Sequence, residues 1–278
     1  MQRVRSSPSN TPNGVSFRKT RNPQVRQFIL LIFISSLLIA GCETSPDLCK
    51  RVRDVPEIEC VALRNFFEST GGSDWKESHG WLQEERVCKW HGINCEGGHV
   101  VELALNYNGL MGNLDADLSP LSSLKLLSLY YNGLTGGLPE WLGQMDVLEI
   151  LILHNNQFEG TIPPFFGDMH SLMLLDLDSN DLSGPLPASL GNLKELHTVR
   201  LRANDLTGNI PAEMVGCDSL VALFLSNNDL EGDVPEVLAS LSNLRMFSVV
   251  GNPRIGKIPE VLVKLPRSGY DLLEWGDG

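Results

Sequence analysis

The sequence predicts an α/β solenoid, a stack of short parallel strands joined by irregular returns, and three observations carry that prediction. A 24-residue period runs from Val100 to residue 267 through seven units without an insertion or deletion. Within each unit, apolar residues at positions four and six straddle one outward slot, the period-two pattern of a strand that buries one face. Position nine is asparagine and position thirteen is glycine in all seven units. One 24-residue coil cannot bury its own leucines, so the coils must stack on a continuous core.

Each recurring residue has a physical task. Position one runs from Val100 to Leu244, position four from Leu103 to Phe247, and position six from Leu105 to Val249, all apolar and all assigned to the core. After the strand the chain turns and leaves backbone groups inside without a strand partner. The position-nine amides, Asn108 through Asn252, offer two donors and an acceptor to satisfy them from coil to coil. Glycine at position thirteen tolerates a bend with positive φ. Proline at position sixteen, present in six units with Asp115 the exception, holds the return segment extended. Position twenty-two reads Leu121, Met145, Met169, Leu193, Cys217, Leu241 and Leu265, so Cys217 occupies a core slot and is expected as a buried free thiol.

The pattern Leu-x-x-Leu-x-Leu-x-x-Asn-x-Leu-x-Gly-x-Ile-Pro resembles the plant-type class of leucine-rich repeats; unit five shows it in Leu201-Arg-Ala-Asn-Asp-Leu-Thr-Gly-Asn-Ile-Pro211. The resemblance spans residues 56–267. It implies a curved stack with a parallel sheet on its concave face and irregular or 3-10 segments on its convex face. Ahead of the repeats, Val61-Ala-Leu-Arg-Asn-Phe-Phe, Gly71-Gly-Ser-Asp-Trp75, Gly80-Trp-Leu and Cys88-Lys-Trp-His-Gly-Ile-Asn-Cys95 resemble the N-terminal cap of that class, over 56–99. A variant of this cap also occurs on secreted bacterial proteins with the same repeats. Leu63, Phe66 and Phe67 predict a helix over 57–69 that stops at Gly71-Gly72. Trp75, Trp81 and Trp90 shield the first coil. Cys88 and Cys95 bracket a short loop and are expected to be bonded, with Cys49 and Cys60 the natural second pair. At the other end, Leu272, Leu273 and Trp275 in the tail 268–278 are expected to cover the last coil, and Arg254 makes the seventh unit irregular.

The start of the chain reads as an export signal. Residues 1–41 hold six bases and no acids and lead into an apolar run, Phe28 to Ala40, too short to span a membrane. The junction Ala40-Gly41-Cys42 resembles the bacterial lipobox, which implies diacylglycerol on Cys42, a linker over 42–55 and tethering at the cell envelope or surface. Ordinary cleavage nearby, with the protein secreted, is the other reading. Beyond residue 41 the chain holds 16 Lys and Arg against 34 Asp and Glu, a net charge of -18 that repels phosphate backbones. Nucleic acid is therefore not an expected partner.

Catalysis needs a nucleophile with its base, paired carboxylates or a metal cluster. The sequence contains no Gly-x-Ser-x-Gly, His-Glu-x-x-His or phosphate loop. His91 with Cys88 and Cys95 reads as a disulfide around a tryptophan rather than a zinc site. No enzyme, metal or cofactor is expected. What varies between units is the outward strand face. Position five carries Ile152, Asp176, Arg200 and Phe224. Position seven carries Tyr130, His154, Asp178 and Arg202, and position eight opens with Tyr107 and Tyr131. These ten residues are the candidate ligand contacts, because clustered Tyr, Arg and Phe are what binding hot spots use. Asp176 and Asp178 opposite Arg200 and Arg202 also read as a self-neutralising surface ladder of little energetic value. Two classes follow. One is a recognition protein for a protein, peptide or polysaccharide, as the resemblance to plant receptor ectodomains and to inhibitors of pectin-degrading enzymes implies. The other is a lipid-tethered envelope spacer without a specific ligand.

Overall fold

In a computed structural model that describes residues 48–266, the repeats stack as the period requires. Cys42, the preceding signal and the tail 268–278 lie outside the described residues. The strands that carry positions three to five form the principal sheet. After the antiparallel pair β1 (Ile93–Glu96) and β2 (His99–Ala104), it continues in parallel through β4 (Leu126–Ser128), β6 (Ile150–Ile152), β8 (Leu174–Asp176), β10 (Thr198–Arg200), β12 (Ala222–Phe224) and β14 (Met246–Ser248). Each register partner lies one repeat away, as in Leu127 with Leu151 and Leu151 with Leu175. The position-one, -four and -six residues are all buried, Leu103, Leu127, Leu151 and Leu175 completely.

The asparagine series works as a coil-to-coil splice. Asn180 Nδ2 donates to Leu153 O in the preceding coil and to Leu177 O in its own, while its Oδ1 accepts from Phe158 N at 3.1 Å. Asn204 and Asn228 repeat this arrangement. The glycines of position thirteen adopt positive φ from Gly112 to Gly232, and the prolines of position sixteen precede one-turn 3-10 segments such as Glu140–Gln144 and Ala212–Gly216. A second parallel sheet was not expected. β3 (Met111–Asn113), β5 (Gly133–Gly136), β7 (Gln157–Gly160), β9 (Asp181–Pro185), β11 (Asp205–Gly208), β13 (Asp229–Gly232) and β15 (Arg254–Ile255) lie side by side across the return path. Glycine-containing stretches this short carry no alternating signal of their own, and the stacking imposed by the first sheet pairs them.

The N-terminal cap follows the sequence reading over its helix and extends further upstream. α2 (Glu57–Ser69) has the expected limits, but the short helix α1 (Leu48–Arg51) with buried Leu48, Val52 and Val55 belongs to the cap too, so residues from 48 onward are not a linker. Disulfides join Cys49 to Cys60 and Cys88 to Cys95. Trp75, Trp81 and Trp90 pack edge-on or tilted with centroids 4.9 and 5.0 Å apart, and each indole N–H donates to a backbone carbonyl. Glu59, buried to 1% exposure, accepts the Val100 amide and meets His99 Nδ1 at 2.6 Å, which pins α2 to β2. The cap also starts the asparagine series: Glu77 exchanges two hydrogen bonds with the Asn108 amide where an earlier coil would stand.

Cys217 is completely buried, its Sγ 3.2 Å from Leu190 O, and burial pushes its thiol up to about 11. At pH 8 only about one thiol in a thousand is then ionised, and none is accessible. In the folded protein Cys217 should resist iodoacetamide while reacting completely in denaturant, as read by mass spectrometry. Rapid native alkylation would show that the repeat register is shifted.

Candidate functional site

The outward face of the principal sheet separates into two parts. Over units one to three, Tyr107, Tyr130, Tyr131 and His154 form a ring cluster. Tyr107 stacks on Tyr131 with centroids 4.4 Å apart and planes 10° from parallel, and Tyr130 stacks on His154 at 4.5 Å. Tyr107 is 53% exposed and Tyr131 46%, the largest exposed aromatics among the described residues. Both sit at position eight, where the backbone is left-handed in every unit: φ is 56° at Tyr107 and 53° at Tyr131, and Asn155, Ser179, Ala203, Asn227 and Gly251 take the same slot. Asparagine or glycine enters that region at little cost, whereas a bulky side chain there costs about 1 kcal/mol or more. Neither tyrosine belongs to the buried core.

Over units four to six the face is closed upon itself. Arg202 Nη2 lies 2.7 Å from Asp178 Oδ2 and its Nε donates to the same oxygen, with both side chains only 12–15% exposed. Arg200 approaches Asp176, which also receives His154 Nδ1 at 3.2 Å. The two guanidinium groups lie 5.6 and 5.1 Å from the centre of the Phe224 ring, which has no exposed surface. Two expectations change as a result. Phe224 is not an exposed anchor but the floor under two arginines. The Asp–Arg ladder is a largely buried network rather than a solvated one, so removing one partner is costly. Burial, reinforced by neighbouring Asp176, raises the Asp178 carboxyl above its usual 3.8 despite the opposing pull of Arg202.

Of the ten predicted contacts, then, Tyr107, Tyr130, Tyr131, Ile152 and His154 come together on the accessible part. Asp176, Asp178, Arg200, Arg202 and Phe224 form the network beside it. On the same face Ser128 Oγ donates to Asn106 Oδ1 at 2.7 Å. Among the described residues no cluster of His, Cys, Asp or Glu is placed to hold a metal ion. The sequence reading missed position three. Alternation from position four puts it on the same face as position five, and there Leu126, Ile150 and Leu174 stand in register, half-buried. The period-two signal was present; these residues look like core leucines until the register is fixed.

A family model described as Leucine Rich Repeat matches residues 123–145, 147–169, 171–193 and 219–241. No curated protein matches the chain significantly. Among solved structures, a pollen receptor kinase 3 is 38% identical with a TM-score of 0.57, over 62% of this chain and 83% of that one. The ectodomain of the Arabidopsis receptor kinase HAESA, solved with an N-terminally extended IDA peptide hormone, is 29% identical with a TM-score of 0.68, over 75% of this chain and 36% of that one. A TDR receptor is 38% identical with a TM-score of 0.55, over 56% of this chain and 27% of that one. The chain thus spans only about a quarter to a third of the length of the latter two receptors.

The raised Asp178 carboxyl has a definite sign in pH. A group whose folded value exceeds its unfolded value disfavours folding while ionised, and that penalty disappears as pH falls through the folded value to 3.8. Asp178→Asn carries no such titration. The stability of wild type relative to Asp178→Asn, measured by urea unfolding, should therefore rise as pH is lowered from 7 toward 4. The opposite trend would show that Arg202 attraction outweighs burial.

Proposed function

The chain belongs to the plant-type leucine-rich-repeat family, and from that premise we propose that it is a non-catalytic recognition protein that binds a protein or peptide on its concave sheet face. The observation that carries this reading is the exposed tyrosine cluster in strained, left-handed backbone. The left-handed slot recurs in all seven units, but here alone it carries large exposed rings, the residue type that binding hot spots use. The HAESA ectodomain, which shares the fold over three quarters of this chain, was solved with a peptide hormone. By the same logic the Asp–Arg network of units four to six is a rigid shoulder beside the site, and the binding energy is concentrated in Tyr107, Tyr130, Tyr131, Ile152 and His154.

The test is selection of linear peptides from a random phage-displayed library on the full chain, followed by affinity measurement by fluorescence anisotropy. Replacing Tyr107 and Tyr131 together by alanine should lower affinity at least tenfold, about 1.4 kcal/mol. The exposed controls Glu260→Ala and Lys194→Ala should change it less than twofold, and melting temperatures should stay close to wild type. Loss of binding in the controls with retention in the tyrosine variant would place the ligand elsewhere. Failure to select any peptide would favour the envelope-spacer reading.

The same proposal puts the protein outside the cytoplasm, in keeping with two disulfides in the cap, and tethers it through lipid on Cys42. Palmitate-analogue labelling in a bacterial host should mark wild type and not Cys42→Ser. Equal, background labelling of both would leave a secreted protein without an anchor.

A further inference from the structure

The tyrosine cluster is one wall of a trough. The other is the aliphatic row at position three, Leu126, Ile150 and Leu174 on neighbouring strands, with Met173 beside it exposed to 39%. Positions three and seven are four residues apart, roughly 13 Å along the strand. Between them at position five lie the small residues Ala104 and Ser128, Ser128 buried beside Asn106. A contiguous aliphatic row on a solvated sheet adds nothing to the core and is the kind of surface that marks an interaction site.

The row has an acidic end. Glu102 is the position-three residue of unit one, in register with Leu126, and Glu149 directly precedes Ile150. Glu102 accepts a hydrogen bond from Asn94, and neither glutamate has an ion pair among the described residues. Lys125, the base nearest in sequence to the row, is paired with Glu96 at 3.6 Å. Beyond unit four the trough meets the Asp–Arg network, whose charges satisfy one another.

We propose that the trough takes an extended cationic peptide lying along the solenoid axis, with a Lys or Arg over unit one and two or more aliphatic side chains over units two to four. This rests on the concave-face reading above and adds the ligand's chemistry and its lie along the stack. An extended chain sends alternate side chains to opposite sides, which suits one aliphatic and one aromatic wall. Glu102 and Ile150 are two strands apart, roughly 9.6 Å, or about three residues of extended chain. The base should therefore lie about two to four positions from an i, i+2 aliphatic pair.

The peptides selected from the random library decide it. Their consensus should show that spacing, and synthetic fluorescent copies should be measured against three variants of the full chain. Leu126→Thr/Ile150→Thr/Leu174→Thr should bind at least about tenfold more weakly. Glu102→Gln/Glu149→Gln should lose about three- to tenfold and flatten the salt dependence. If the triple variant melts far below wild type, Ile150→Thr alone replaces it. Should Tyr107→Ala/Tyr131→Ala abolish binding while the aliphatic and glutamate variants bind like wild type, the concave-face reading stands and this inference falls. It falls equally if the selected peptides are acidic or lack the aliphatic pair. If no concave variant alters affinity, or no peptide is selected, both readings fall.

Discussion

The fold depends on satisfying the backbone at one turn, seven times over. Immediately after position six the chain leaves the strand while still inside the stack, and its amides and carbonyls there have no ladder partner. A buried, unpaired backbone group costs about 1 to 3 kcal/mol, so seven such turns left open would rival the net stability of an ordinary domain. The position-nine amide removes the problem by bridging two coils at once, as Asn180 does between Leu153 and Phe158 of one coil and Leu177 of the next. Because the bridge is always to the neighbour, it locks each coil in register with the one before it. The cap is subject to the same demand, which is why Glu77 stands in for the missing earlier coil at Asn108.

That constraint separates scaffold from surface. Positions one, four, six, nine, thirteen and sixteen are committed to core, splice or bend, and the outward slots at three, five, seven and eight are left free to vary. Two of those slots behave differently. Position five projects between its neighbours on the sheet, so even Phe224 can be covered there by side chains one strand away. Position eight lies in left-handed backbone beyond the strand, where five of the seven residues, both tyrosines among them, stand exposed and none is buried. A tyrosine at position eight therefore carries more information about function than a phenylalanine at position five, although both face outward.

The repeat made most of the fold legible before any coordinates. Period, core series, asparagine splice, glycine bends, the helix at 57–69, both disulfides and the buried Cys217 were all readable because each is a local rule repeated in register or a short cysteine spacing. The second sheet was not readable, because segments such as Gly133–Gly136 acquire strand geometry only from stacking. The helix at Leu48–Arg51 was missed because four residues show no period. On the face, residue type and direction were legible but depth was not. Exposure depends on the side chains of adjacent strands, and the Asp178–Arg202 pair became a buried network only once Phe224 lay beneath it.

The position of the tyrosine cluster along the stack follows from how solenoids come apart. Each coil touches only its neighbours, so opening proceeds from the ends inward. The N-terminal end is pinned by two disulfides, three packed tryptophans and the buried Glu59 bridge to β2. Lys76 extends that brace directly to the cluster, its backbone N–H donating to Asn108 O and its Nζ to Tyr107 O. Among the described residues no comparable crosslink guards the last coil, where Val250, Val261 and Val263 are exposed and the short strand β15 ends the second sheet. A binding surface on units one to four would lie next to the crosslinked cap, and a scaffold held in that way lowers the entropy lost when a flexible peptide is captured, since only one partner has to be ordered.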